Sequence, residues 1–83
     1  MKVRYFAWMK RTVGVADEDV SPPPEVRTVG DLVFWLRGRS SGHAEALAEG
    51  AAFGAALDKR TVPFDAKLAG AHEVAFFPPF TGG

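Results

Sequence analysis

The sequence predicts an α+β domain in which one main helix packs across one face of a mixed sheet. Three observations support this prediction. Apolar and polar residues alternate over residues 2–9, apolar residues recur at helical spacing after Thr28, and an apolar alternating run covers residues 72–77. A chain of 83 residues has room for one domain with a modest core.

Composition excludes several classes of function. Hydrophobic residues make up 47% of the chain and charged residues 24%, which is typical of a globular protein. Ten basic and ten acidic residues cancel, so no net charge favours nucleic acid or anionic lipid as a partner. The absence of cysteine removes disulfides, thiolate metal sites and nucleophilic thiols. Because no apolar run reaches the length of a membrane span or signal peptide, we expect a cytoplasmic protein.

The first two strands are predicted to form a hairpin. Residues 2–9 alternate, with one side made of Val3, Tyr5, Ala7 and Met9 and the other of Lys2, Arg4, Phe6 and Trp8. Gly14 offers a turn, and residues 15–21 predict a second strand. Its acidic run, residues 17–19, is interpreted as a solvated turn or edge rather than an acid–base site. Three prolines at 22–24 end the hairpin.

A helix is predicted over residues 29–39. Thr28 followed three residues later by Asp31 is typical of a capping box, and an apolar stripe follows at helical spacing, formed by Val29, Leu32, Val33 and Leu36. Phe34 and Trp35 lie off the stripe. We expect them to pack at the flank of a small core, in preference to forming a binding surface.

The next segment predicts a short helix and a second hairpin. Residues 43–49 allow a helix closed by Gly50, with His43 expected to face solvent. A strand is predicted to begin near residue 53 or 54, to turn at residues 58–60, and to return over residues 61–62 until Pro63 stops it.

A compact loop and a final strand complete the body. Residues 64–70 are expected to form the loop, anchored by Phe64 and Leu68, with room for one helical turn at residues 66–68. Residues 72–77 then alternate, with Val74 and Phe76 on one face and Glu73, Ala75 and Phe77 on the other.

This element order is typical of the ubiquitin-like β-grasp, in which the first and last strands lie parallel in the middle of the sheet. Phe6 and Phe77 are then expected to share the outer face as an exposed aromatic patch. The predicted β-grasp domain covers residues 1–77, and a flexible C-terminal diglycine tail covers residues 78–83.

The tail has a composition suited to presenting a carboxylate. Pro78 and Pro79 stiffen the exit from the last strand, and Gly82 and Gly83 are thin enough to enter a narrow cleft of another protein. Frayed chain is the alternative for such an end.

The sequence resembles the small subunit of molybdopterin synthase, a family of MoaD-type sulfur carriers. The resemblance is densest from Asp58 to Gly83, above all in the run from Glu73 through Phe-Phe-Pro-Pro to Gly-Gly, and is supported by the segments Val62-Pro63-Phe64-Asp65, Lys2-Val3-Arg4-Tyr5-Phe6-Ala7 and Thr28-Val29-Gly30-Asp31-Leu32. The chain departs from the family at Asp58, where Asn is common, and at Ala71-His72, where an acidic residue is common. These departures leave the turn geometry and details of partner fit open.

The resemblance implies a non-catalytic sulfur donor whose Gly83 carboxylate is adenylated by an E1-like enzyme and then thiocarboxylated by a sulfur donor. The tail would enter the large subunit of molybdopterin synthase and donate sulfur to cyclic pyranopterin monophosphate. ATP would be used by the activating partner, because the chain has no phosphate-binding loop of its own. No bound cofactor or metal is expected. The expected partner-binding residues are Phe6, Phe77, Pro78, Pro79, Phe80 and Thr81, with Gly82 beside the reacting Gly83.

Two other readings stay open from the sequence. The same body and tail would suit a sulfur carrier for thiamine synthesis or transfer-RNA thiolation. They would also suit a ubiquitin-like modifier or interaction module, in which the diglycine is conjugated to lysines.

Overall fold

A five-stranded mixed sheet and the helices packed on it form the fold. The computed structural model describes residues 1–79. Along this part of the chain the elements are β1 (Lys2–Tyr5), α1 (Trp8–Val13), β2 (Asp17–Asp19), α2 (Val29–Arg37), α3 (Ser41–Ala46), β3 (Gly54–Leu57), β4 (Arg60–Val62) and β5 (Glu73–Phe77). The predicted α+β class, with a helix across one face of a mixed sheet, is confirmed.

The first and last strands lie side by side in the middle of the sheet. The strand order is β2-β1-β5-β3-β4, and β1 pairs with β5 in parallel, with Val3 opposite Val74 and Tyr5 opposite Phe76. The other pairings are antiparallel. The parallel central pair expected for a β-grasp is therefore present.

The core lies between the inner face of the sheet and α2. Side chains two residues apart on β1 and β5 point to this face, and the apolar stripe of α2 covers them. The fully buried members include Val3, Val74, Phe76, Val29, Leu32 and Leu36. Burying a side chain of this size stabilises a fold by roughly 1.5–3 kcal/mol. The inner face of the sheet therefore stabilises the fold and is covered by α2.

Helix α2 begins as predicted. Thr28 accepts a hydrogen bond from the Asp31 backbone N–H at 3.1 Å, and the Asp31 carboxylate accepts one from the Thr28 N–H at 3.2 Å. The hydrogen bonds that the carboxylate accepts from the backbone N–H groups of Arg27 and Thr28 hold the pKa of Asp31 below its ordinary value. Trp35 packs against the core, but the expectation for Phe34 was wrong. Its side chain is 76% exposed, because residue 34 lies on the side of α2 that faces away from the sheet.

The first strand is shorter than the alternation predicted. It ends at Tyr5, and the residues expected to finish it, Trp8 and Met9, belong to α1. Ala7 makes the change of direction with a φ of 55°, a conformation that non-glycine residues seldom adopt. Met9 is buried all the same, so burial alone could not distinguish the strand from the helix.

The loop over residues 64–70 contains no helical turn. Lys67 forms a β-bridge with Thr28, and Leu68 is buried, with its N–H donating to the Arg27 carbonyl at 2.9 Å. Phe64 is 43% exposed, yet its carbonyl accepts from the Gly30 N–H at 2.8 Å. The expected anchors hold, but they attach the loop as an extended segment to the start of α2.

Candidate functional site

The outer face of the sheet carries an open apolar groove, which we call the outer groove. Its floor is lined by Phe6, Ala56, Ala75, Phe77, Pro78 and Pro79, and charged side chains of Arg4, Lys59 and Glu73 border it. The groove has a volume of about 660 Å³. Ala56 and Ala75 are buried but stand apart from the core cluster, so their small side chains set the depth of this second apolar surface.

Phe6 reaches the outer groove because the chain leaves β1 at that point. Its N–H donates to the Phe76 carbonyl at 3.1 Å, which extends the central pairing by one residue. Its ring is 42% exposed, and the Arg4 guanidinium lies 5.4 Å from the ring centroid. The predicted aromatic residue is thus held beside the last strand and open to solvent.

Phe77 is positioned by a glycine on the neighbouring strand. Gly54 lies opposite Phe77 in the β3–β5 register, and a Cβ at residue 54 would lie 2.8 Å from the Phe77 Cε1 atom. With the ring in this position only hydrogen fits at residue 54, so the aromatic ring lies directly over the glycine backbone. The sequence pattern gave no sign of this contact, because it depends on the pairing register.

Pro78 and Pro79 continue from β5 along the outer groove. Pro78 is half-buried and Pro79 exposed. Four of the predicted site residues, Phe80, Thr81, Gly82 and Gly83, lie outside the described residues. Of the predicted partner-binding set, the structure therefore brings together Phe6, Phe77 and the two prolines.

The charged border of the outer groove includes one ion pair and one tight turn. Arg4 lies 3.7 Å from the Glu73 carboxylate. Asp58 and Lys59 form the turn between β3 and β4, and both have positive φ, at 46° and 72°. The Asp58 carboxylate accepts hydrogen bonds from the backbone N–H groups of His72 at 3.0 Å and Glu73 at 2.9 Å. This carboxylate fixes the turn to the start of β5.

A family comparison decides what this groove and tail belong to. The model of the ThiS family matches residues 3–83. The chain belongs to the ThiS family.

Individual relatives agree with this assignment. The chain is 37% identical over 83 residues to the "Molybdopterin synthase sulfur carrier subunit" of Escherichia coli (strain K12), covering 100% of this chain and 99% of that protein. A solved structure from Pyrococcus furiosus, described as a molybdopterin converting factor, subunit 1, is 30% identical with a TM-score of 0.76 and covers 95% of both chains. The resemblance identified from the C-terminal motif is confirmed.

The fold also occurs in a more distant solved structure. Small archaeal modifier protein 1 from Haloferax volcanii has a TM-score of 0.74 at 22% identity, over 96% of this chain and 97% of its own. At that identity the likeness extends to the β-grasp fold alone.

A second polar cluster of this ThiS-family chain lies away from the outer groove. His43 was expected to face solvent, and that was wrong, because it is 7% exposed. Its Nε2 lies 2.7 Å from the Glu18 Oε2, and its Nδ1 lies 2.7 Å from the Ser40 hydroxyl. The Tyr5 hydroxyl donates to the same Glu18 oxygen at 2.8 Å.

This cluster changes the interpretation of the acidic run. Asp17 and Asp19 are exposed on the edge strand as expected, but Glu18 is half-buried. Burial would raise the pKa of Glu18, yet the hydrogen bonds from His43 and Tyr5 outweigh it and hold this pKa below its ordinary value. Burial, together with the Glu18 carboxylate, raises the pKa of Tyr5 well above its ordinary range. The phenol therefore remains a donor, and the cluster joins β1, β2 and α3.

Other kinds of site were sought in the same part of the chain. Within residues 1–79, no group of three or more His, Cys, Asp or Glu side chains is arranged to hold a metal ion. None of the helices described there is long and apolar enough to cross a bilayer.

Proposed function

We propose that this chain is the sulfur carrier subunit of a molybdopterin synthase. The observation that carries the proposal is the 37% identity to the Escherichia coli sulfur carrier subunit over the full chain. The 30% identity to the Pyrococcus furiosus converting factor subunit supports the same pathway. Residues 1–77 would act as the globular body and residues 78–83 as the tail that carries sulfur.

The proposed chemistry takes place at the Gly83 carboxylate. A carboxylate is a poor electrophile, so one of its oxygens first attacks the α-phosphorus of ATP in an E1-like adenylating enzyme, and pyrophosphate leaves. A sulfur nucleophile at the oxidation level of sulfide then attacks the acyl carbon, and AMP leaves. The product is a thiocarboxylate at Gly83, which holds nucleophilic sulfur in a chain without cysteine.

Sulfur transfer would take place in the large subunit. The thiocarboxylate sulfur attacks a carbon of cyclic pyranopterin monophosphate and displaces an oxygen substituent from it, which gives a thioester. Water then hydrolyses the thioester, so that the sulfur stays on the pterin as a thiol and Gly83 returns to a carboxylate. A tail of six residues would span at most about 20 Å when extended. That length would let the reacting end enter a pocket of the large subunit while the body remains outside it.

The outer groove is the proposed docking surface for the large subunit. It lies at the root of the tail, and Phe6 and Phe77 offer aromatic area of the kind that dominates binding energy at interfaces. We expect Phe80 and Thr81 to continue this contact beyond the described residues. The body would therefore aim the tail by binding next to it.

Mass spectrometry of the intact chain tests the carrier function. After incubation with the adenylating enzyme, ATP and a sulfur donor, we expect a gain of about 16 Da, the difference between sulfur and oxygen. Gly83→Ala should abolish or severely reduce sulfur transfer because it adds bulk to the thin end. Gly38→Ala is the matched control, since a Cβ at residue 38 would make only an ordinary 3.5 Å contact with the Trp35 carbonyl.

The same preparation separates the carrier from its alternatives. If the wild-type chain gains no sulfur and appears as an isopeptide on lysines of other proteins, the modifier function is correct and the carrier proposal is wrong. If it gains sulfur but produces no molybdopterin with the large subunit and cyclic pyranopterin monophosphate, it serves another sulfur pathway.

A matched pair of substitutions tests the docking surface. Phe77→Asp should weaken binding to the large subunit at least tenfold, because it places a charge in an apolar contact. Phe34→Asp makes the same chemical change at a residue that is 76% exposed on α2, and it should leave affinity within about twofold. Equal affinities for the two variants in calorimetry would refute the docking proposal.

A further inference from the structure

The turn at Asp58 and Lys59 places a cation beside the outer groove at the expense of backbone strain. Two-residue hairpin turns with positive φ at both positions favour Asn-Gly and Asp-Gly. This chain has lysine at the second position, with a φ of 72°, where L residues are disfavoured and glycine is not. Strained backbone at the edge of a binding surface indicates that the side chain there has a use.

Lys59 differs from the two other charged residues of the outer groove, because those two form an ion pair with each other. Arg4 and Glu73 form an ion pair at 3.7 Å, so each largely cancels the other. Among the described residues, no carboxylate lies within ion-pair distance of the Lys59 ammonium group. The border of the outer groove thus has a net positive charge, although the whole chain has none.

The turn that bears Lys59 is also held firmly. The Asp58 carboxylate binds two backbone N–H groups at the start of β5, and the neighbouring Leu57 and Arg60 pair across the hairpin. The lysine stem therefore starts from a fixed point beside the apolar floor. A cation in such a place favours a partner that carries a carboxylate next to an apolar surface.

We infer that Lys59 is a specificity-determining residue of the outer groove, and that it receives an aspartate or glutamate side chain of the docking protein. This rests on the proposed docking of the large subunit. Lys59 contributes to recognition and to the rate of encounter, whereas the aromatic floor contributes most of the affinity. The reaction at Gly83 does not involve it.

A substitution series at Lys59 tests the inference by association kinetics with the large subunit. At an ionic strength of about 0.01 M, Lys59→Glu should lower the association rate constant about tenfold. Lys59→Gln and Lys59→Gly should each lower it about threefold, and Lys59→Arg should match the wild type. At about 1 M, where the screening length is about 3 Å, the variants should agree within about twofold.

Two members of the series separate charge from conformation. Lys59→Gly removes the charge and also the strain of the positive φ, which glycine adopts without steric cost. If charge alone matters, Lys59→Gly should associate at the same rate as Lys59→Gln, although its turn is less strained. Lys67→Glu makes the same charge reversal at an exposed residue that lines a different surface, and it should bind like the wild type. Reversal of one acidic residue on the large subunit to lysine should restore fast association with Lys59→Glu.

Three results would overturn the inference. The first is wild-type association of Lys59→Glu at low ionic strength. The second is an equal loss in Lys67→Glu, which would assign the effect to overall charge. The third is self-association of the isolated chain that Lys59→Glu abolishes, which would make a second copy the occupant. Phe77→Asp is measured alongside. If Phe77→Asp also binds the large subunit normally, the proposed docking at the outer groove is wrong. If Phe77→Asp binds weakly while Lys59→Glu binds normally, only the inference about Lys59 is wrong.

Discussion

Gly54→Ala should disturb the outer groove while leaving the fold intact. The new Cβ would lie 2.8 Å from Phe77 Cε1 and 3.1 Å from Cζ. Ordinary contact begins near 3.4 Å, so the ring must retreat by about 0.6 Å. The backbone at Gly54 has no positive φ, so alanine fits the strand. The ring of Phe77 is therefore the part that moves.

Two opposing terms keep the change in stability small. Displacing the ring from its preferred rotamer costs of order 0.5–1.5 kcal/mol. Replacing glycine by alanine within a strand contributes about 0.5–1 kcal/mol, since the unfolded chain has less freedom to lose. We expect the free energy of unfolding to change by less than about 1 kcal/mol. Affinity for the large subunit has no such compensation and should fall about tenfold, or about 1.4 kcal/mol.

Urea unfolding and calorimetry measure the two quantities separately. Gly54→Ala is made in the wild type and in a Phe77→Ala background, where the clash is absent, so that the double-mutant cycle isolates the contact. In that background the alanine at residue 54 should be stabilising. An affinity of Gly54→Ala within twofold of the wild type would show that the glycine does not position the ring. A loss of stability that persists without the Phe77 ring would place the strain elsewhere.

Three further predictions concern the polar contacts. The folded pKa of Glu18 lies below its ordinary 4.5, so the stabilisation of the fold by its carboxylate is present above about pH 4.5 and is lost as pH falls through the folded value. The difference in the free energy of unfolding between the wild type and Glu18→Gln should be roughly 1–3 kcal/mol at pH 7. It should shrink toward about pH 3 in urea titrations. His43→Leu should destabilise by about 1–3 kcal/mol because the cluster loses a donor to Glu18, and near-wild-type stability in thermal denaturation would contradict this. Asp58→Ala should lower the free energy of unfolding by about 1 kcal/mol. Asp58→Asn should be nearly neutral, because asparagine retains an acceptor and tolerates positive φ. Equal effects of the two variants in urea unfolding would show that the two backbone hydrogen bonds contribute nothing.

Local signals account for the parts of the fold that the sequence predicted. The capping box at Thr28 and Asp31 marks the start of α2, and its apolar stripe marks the buried face. The alternation of residues 72–77 assigned Val74 and Phe76 to the core and Phe77 to the outer face. In each case a period or a cap within a few residues fixes the structure.

The parts that were missed depend on distant partners or on unusual backbone. Helix α1 starts after a positive φ at Ala7. Because residue 7 is alanine and not glycine, the sequence does not indicate this backbone conformation. His43 is buried because Glu18, 25 residues away, lies beside it. The contact of Gly54 with Phe77 exists only in one register of β3 against β5. A single sequence contains these residues but does not indicate that they meet.

The two faces of β5 explain why the tail can be aimed without disturbing the core. Val74 and Phe76 point inward and are fully buried, and β5 is paired on both sides, so the strand cannot shift without breaking the fold. Phe77 is the residue at which this rigid strand ends and the prolines begin, and its ring is directed outward over Gly54. A partner that binds Phe77 therefore contacts the last residue of the body, whose position the core fixes and after which the tail begins. In the proposed transfer at Gly83, docking at this fixed residue would set the point from which the tail starts, and the buried face of β5 would stay unchanged.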